Sequence, residues 1–162
     1  MDLSSWDMSN AVNMTSMFYG CSELRKVNLK GCDTSNVYDM SYMFFDCCKL
    51  NDIIGLEDLR GDTVKNFTAM FRNCKNLKEI DMSNFKSSPT SVGYMFYGCT
   101  RLKSVKIGNI KGNRLAFSTL SPVEYIFNKC KNIEYIEISK SLNVAIVLNN
   151  DVSQCKYVLK NK

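Results

Sequence analysis

Histidine is absent from the 162 residues of this chain, and its absence bears first on chemistry. It removes the commonest general base, the usual partner of a nucleophilic serine or cysteine, and the commonest metal ligand. Proline is scarce, with two residues, and there is one tryptophan. No run approaches the ~20 apolar residues that span a bilayer. The opening Met1-Asp2-Leu3-Ser4-Ser5-Trp6-Asp7 has neither the basic nor the apolar region of a signal peptide. No glycine-rich phosphate loop occurs, and glycines such as Gly20 and Gly98 read as turn residues. The carboxylates are scattered, with no pair spaced to converge on one site. Zinc spacing of the C-x₂₋₄-C kind is missing too, so neither a catalytic centre, nor a metal site, nor a cofactor is expected.

What is present is an ordinary apolar fraction of 45% with 23% charged residues, enough for one domain with a core. The net charge of +5 is unevenly placed. Residues 1–81 carry 9 basic and 12 acidic groups, whereas residues 82–162 carry 12 basic and 4 acidic ones. Such a gradient orients a molecule in the field of a charged partner. The basic half permits nucleic-acid contact, although it lacks the interleaved aromatics and modules that such binding uses.

A repeat dominates the chain. The segment Met17-Phe18-Tyr19-Gly20-Cys21 through Leu24, Val27 and Leu29 recurs in register four more times. The repeated cysteines, Cys21, Cys47, Cys74, Cys99 and Cys130, fall 26, 27, 25 and 31 residues apart. Upstream of each cysteine the spacing is helical, as in Val37, Met40, Met43, Phe44 and Cys47. Thr34-Ser35-Asn36, Asp62-Thr63 and Ser87-Ser88 stand where helix starts would be, and Pro89 and Pro122 fit a first turn. Downstream the period is two, which predicts a short strand with Val27 and Leu29 inward. The expected fold is therefore an α/β repeat solenoid, a right-handed leucine-rich-repeat coil. Each repeat would place a strand on the concave face and a helix or helical turn on the convex face. Residues 1–138 would hold a partial repeat and five full ones, and residues 139–162 a capping strand, placed at 143–151, with a polar tail from Lys156.

The phrase Asp2-Leu3-Ser4-Ser5-Trp6-Asp7-Met8-Ser9-Asn10, leading into Met14-Thr15-Ser16-Met17-Phe18-Tyr19-Gly20-Cys21, closely resembles the 26-residue repeat of bacterial surface proteins. That family is the BspA-like leucine-rich repeat, also described as a domain of unknown function in mycoplasma and listerial lipoproteins. The resemblance covers about residues 2–138, with an insertion near Gly108–Ser118. It implies an extracellular, adhesive, host-contacting role and carries over no catalytic residue. The chain departs from the family in showing no secretion signal, lipobox cysteine or wall-sorting tail, so the expected location is divided between the cell surface and the cytoplasm.

The five in-register cysteines are expected to form a column of buried, reduced thiols. Cys32 shares a slot with Trp6 and Phe85 and is expected in the core, while Cys48 is expected to react. Asn13-Met14-Thr15 and Asn66-Phe67-Thr68 match the glycosylation acceptor but fall inside the predicted helices. The residues opposite the inward strand positions form the candidate partner-binding face: Lys26, Asn28, Lys30, Asp52, Ile54, Glu79, Asp81, Ser104, Lys106, Tyr135 and Glu137, with Asp2 and Ser4 ahead of them. Two functions fit a non-enzymatic scaffold of this kind. One is the repeat region of a bacterial surface protein engaged in adhesion or host interaction. The other is a small intracellular inhibitor or adaptor, of mobile-element or phage type, that binds a cytosolic protein or ribonucleoprotein. The chain is expected as a monomer or as an end-to-end dimer through its open first repeat.

Overall fold

A computed structural model describes residues 1–108 and 125–139, together with the backbone of 156–160. Six short strands follow in chain order: β1 (Lys26–Asn28), β2 (Asp52–Ile54), β3 (Glu79–Met82), β4 (Ser104–Ile107), β5 (Tyr135–Ser139) and β6 (Lys156–Lys160). All pairings are parallel and join strands consecutive in the chain, β1 to β2 in one sheet and β3 through β6 in another. A second parallel ladder runs through the turn segments by single bridges, Asn13 to Asp39, Asp39 to Asn66 and Asn66 to Ser91.

The segments with helical spacing are not helices. No α-helix occurs among the described residues. Each such segment is a chain of β-turns, in which Phe45 N–H donates to Tyr42 O (3.0 Å), Cys47 to Phe44 (3.1 Å) and Leu50 to Cys47 (3.0 Å). The intervening amides point to the next repeat instead. Phe44 N–H donates to Met70 O (2.8 Å) and Asp46 N–H to Arg72 O (2.9 Å). The same pair of bonds recurs from Phe18 and Gly20, from Phe71 and Asn73, and from Phe96 and Gly98. This alternation needs left-handed residues, which are Tyr42 (φ 57°) and Asp46 (φ 58°) in this repeat. A right-handed helix cannot run through such residues, so the turns replace it. Thr34 accordingly caps no helix; its hydroxyl donates to Arg60 O at 2.9 Å and accepts from Arg60 N–H at 3.0 Å.

The core is built of columns along the stack. Phe18, Phe44, Phe71, Phe96 and Phe127 lie ring on ring, with centroids 5.2, 5.5, 5.5 and 5.3 Å apart and planes within 8°. Beside them, Cys47 Sγ donates to Phe18 O (3.1 Å), and Cys74, Cys99 and Cys130 donate to the phenylalanine carbonyl one repeat back, each at 3.0 Å. The slot favours cysteine because it is small and apolar yet carries a weak donor for that carbonyl. Val27, Leu29, Ile80, Met82, Val105, Ile107, Ile136 and Ile138 complete the core from the strand side.

Three expectations are corrected here. Cys21, counted with the buried column, is exposed. Trp6 is also exposed, although Cys32 and Phe85 in the equivalent slot are buried. Residues 156–160, expected as a polar tail, form β6 in register with β5. Tyr157, Val158 and Leu159 have the strand propensity that the flanking lysines conceal. The capping strand expected over 143–151, Cys155, Pro122 and the insertion near Gly108–Ser118 beyond residue 108 lie outside the described residues.

Burial pushes the Cys47 and Cys130 thiols up to about 12, and those of Cys74 and Cys99 well above the ordinary value. A thiol so shifted offers almost no thiolate at neutral pH. In the native protein a thiol reagent is therefore expected to modify Cys21 and Cys48 quickly, leaving Cys47, Cys74, Cys99 and Cys130 unmodified until unfolding. Mass spectrometry of labelled peptides reads this, and rapid native labelling of Cys74 or Cys99 would contradict the buried column.

Candidate interaction surface

The strand register brings the candidate residues into rows. Lys26 lies beside Asp52 and Asn28 beside Ile54. In the other sheet Glu79, Ser104 and Tyr135 form one row, and Asp81, Lys106 and Glu137 the next. Asp2 continues the first sheet through its bridge to Asn28, whose side-chain amide donates to the Asp2 carboxylate at 3.0 Å. Lys30 falls just past β1, where its N–H donates to Asn28 Oδ1 at 3.1 Å.

Charges in these rows pair from repeat to repeat. Lys26 meets Asp52 at 2.8 Å and Lys106 meets Asp81 at 3.0 Å. Farther round the repeat, Lys49 meets Glu23 at 2.7 Å and Lys103 meets Glu134 at 3.1 Å. These pairs are exposed, so each adds little to stability, and they serve more to hold side chains in place. Partial burial pushes the Asp81 carboxyl up, but the Ser83 hydroxyl and N–H and the Lys106 ammonium outweigh it and hold the pKa below the ordinary value. Lys106 is raised in turn, by its hydrogen bond to Asp81 and by that carboxylate's charge. Tyr135 Oη donates to Glu137 Oε2 at 3.1 Å.

The face is divided, because β2 and β3 do not pair. Between them opens a cleft of about 390 Å³ lined by Asp52, Ile53, Leu56, Glu79, Asp81 and Lys106, among others. Gly55 follows β2 with φ at 78°, and a Cβ there would meet the Lys30 backbone nitrogen at 2.5 Å. One residue more than in the preceding repeat is accommodated at this point, and the ladder is interrupted. Sequence reasoning missed the cleft, yet its signal was visible in the 27-residue interval from Cys47 to Cys74.

It also missed a second surface on the turn segments. The residue after each of the first four column phenylalanines is Tyr19, Phe45, Arg72 and Tyr97 in turn, and these side chains form a row. Tyr19 and Phe45 stack at 4.7 Å, and Arg72 packs over Phe45, Tyr94 and Tyr97.

Asx turns recur along the chain and explain the apparent glycosylation acceptors. Thr15 N–H donates to Asn13 Oδ1 (2.7 Å) and Thr68 N–H to Asn66 Oδ1 (3.0 Å). Aspartate does the same at Asp2, Asp7, Asp33, Asp39 and Asp81, each followed two residues later by serine. Hydrogen bonds from those serines lower the pKa of Asp2, Asp7 and Asp33. At Asp39 partial burial pushes up, but Ser41, Asn66 and Thr15 prevail, and the net shift is again downward. A folded pKa below the ordinary value contributes stability that is present above the ordinary carboxylate range and is lost as pH falls through the folded value. The urea midpoint is therefore expected to fall below pH about 4. Asp39→Asn, which keeps the turn acceptor, is expected to flatten that fall. A midpoint independent of pH from neutrality down into the acid range would contradict the assignment.

Among the described residues no group of three or more Cys, Asp or Glu side chains is placed to hold a metal ion. A family model described as "Mycoplasma protein of unknown function, DUF285" matches residues 1–110. No curated protein and no solved structure matches the chain.

Proposed function

The chain belongs to the DUF285 family, described as mycoplasma proteins of unknown function, and for this member we propose a non-enzymatic, protein-binding scaffold. The fold we propose for it is a leucine-rich-repeat solenoid of BspA-like type, with stacked turns in place of the helices. One observation carries the reading. Within each of the two sheets, strands from consecutive repeats pair in parallel and in register, so that equivalent side chains line up as rows such as Glu79, Ser104 and Tyr135. Repeat arrays use such rows as one extended binding surface. The partner engages the strand face, through the rows from Lys26 to Glu137 and the cleft between β2 and β3.

The family resemblance favours a surface protein that meets another cell. The test compares wild type with a Lys26→Glu, Lys30→Glu, Lys106→Glu variant as bait for host-cell surface extract and, in parallel, for cytosolic lysate. All three lysines are exposed, so the variant is expected to fold, which circular dichroism checks. A surface partner retained by wild type and lost by the variant is the expected result. A cytosolic partner with the same dependence would replace adhesion by the adaptor role. Capture that the variant leaves unchanged would remove the strand face from the account.

A further inference from the structure

We propose that the turn segments carry a second binding surface, a tyrosine-rich ridge around Arg72 and Lys129 that takes the carboxylates of an acidic segment of a partner protein. The ridge begins with the Tyr19–Phe45 stack, whose rings are parallel within 1°. Where the next ring of that row would lie, the Arg72 guanidinium stands instead, 5.4 Å from the Phe45 centroid, 5.3 Å from Tyr94 and 4.8 Å from Tyr97. Lys129 Nζ lies 5.0 Å from the Tyr97 centroid. Tyr94 stacks in turn on Tyr125, with centroids 5.5 Å apart.

Two observations point to an anionic partner. First, the ion pairs among the described residues use Lys26, Lys49, Lys103 and Lys106, and neither Arg72 nor Lys129 meets a carboxylate. Asp46, beside Phe45 in the chain, directs its carboxylate to the Asn73 amide at 2.8 Å. Second, Arg72 Nε is buried without a hydrogen-bond partner. Arginines at a surface ordinarily keep their donors wet; this one is clamped by three rings. Contacts with ring faces leave the in-plane Nη donors unused, and a held guanidinium loses little freedom when a carboxylate takes them as a two-pronged acceptor.

The surroundings favour a protein over a sugar chain. Phe45 meets Tyr19 and Arg72, and Tyr97 meets Arg72 and Lys129, so the inner rings of the row offer little open face for a pyranose to lie on. Tyr19, Tyr42 and Tyr125 remain exposed at the ridge. Tyrosine and arginine together are the residues enriched at the energetic centres of protein interfaces. This surface is separate from the strand face, and it stands or falls independently of the function proposed there.

The test uses a fluorescently labelled glutamate-rich peptide, with heparin and a neutral peptide as comparators, read by anisotropy at low and physiological ionic strength. The expected result is binding of the acidic peptide that weakens with salt. Arg72→Lys, which keeps the charge and loses the fork, is expected to bind about tenfold more weakly. Lys129→Gln is expected to lose several-fold, while Lys86→Gln, exposed and part of neither surface, is expected to match wild type. Thermal melts check folding, and if Arg72→Lys is unfolded, the exposed Lys129→Gln carries the test. No binding by wild type, or equal binding by the ridge variants, would overturn the proposal. So would heparin binding that depends on Arg72 without any peptide binding.

Discussion

Phe71→Ala is expected to lower the stability of the protein by about 4 kcal/mol, measured by urea denaturation with the midpoint and slope both fitted. Phe71 is fully buried at the middle of the ring column, 5.5 Å from Phe44 on one side and 5.5 Å from Phe96 on the other. Its truncation opens a cavity between two repeats that are tied by main-chain bonds to each other and to their neighbours. The backbone cannot close over it without breaking Phe71 N–H to Met95 O and Cys74 Sγ to Phe44 O. On the proposed solenoid reading, stability is a sum over nearest-neighbour contacts, and the loss falls on two of them at once. Phe18 has one ring neighbour in the column, so Phe18→Ala is expected to cost less. Equal costs at the two positions, or a loss below about 1 kcal/mol at Phe71, would contradict the column as a principal source of stability.

The second large effect is expected at Gly55, and it is sharpest beside Gly20. Both have positive φ, 78° and 70°. A side chain in that region costs about 1–2 kcal/mol wherever it occurs. At Gly20 a Cβ would meet nothing within 4 Å, whereas at Gly55 it would lie 2.5 Å from Lys30 N and 2.6 Å from Lys30 Cα. Those atoms are backbone in the neighbouring repeat and cannot rotate away. Gly20→Ala is thus expected to cost about 1 kcal/mol, and Gly55→Ala about 3 kcal/mol or more once overpacking is added. The Gly55 variant should also disturb the cleft beside it, seen as chemical-shift changes at Asp52, Ile53 and Leu56. If the two alanine variants have the same midpoint, the close approach of Gly55 to Lys30 is wrong.

The first five strands and the core columns were legible in the sequence because their signals are local and repeated. Val27 and Leu29, Ile80 and Met82, Val105 and Ile107 alternate as strand residues must, and the phenylalanine slot recurs almost unchanged. The turn segments were misread for a definite reason. Apolar residues three and four apart mark one face of a helix, but the same spacing arises when three-residue turns follow one another. What separates the two is the left-handed residue between turns, which here is a residue such as Tyr42, Ala69 or Asp46 more often than glycine. The side chains carry no warning of it, because the bond to the next repeat is made by the main chain. Position along the stack was hidden as well. Cys21 and Trp6 occupy the same slots as buried residues elsewhere and yet are exposed, since burial depends on which repeat lies alongside.

The candidate strand face was legible residue by residue, and its interruption was not. Register pairs Lys106 with Asp81 and Lys26 with Asp52 as the alternation implies. The break after β2 turns on one additional residue and a glycine, a small change in spacing with a large consequence for the surface. The row Tyr19, Phe45, Arg72, Tyr97 was equally open to inspection, but its positions follow the core slot and belong to neither the helical nor the alternating spacing.

The most direct test of the whole account is amide hydrogen exchange in the free protein, resolved by residue. Stacking through two ladders requires that alternate turn amides, those of Phe44, Asp46, Phe71 and Asn73, be protected as strongly as the strand amides of Val105 and Ile136, because each donates to the adjoining repeat. Comparable protection at these positions is the predicted result. Rapid exchange at the turn amides beside slow exchange in the strands would contradict it, leaving a sheet with loose loops where the stack should be.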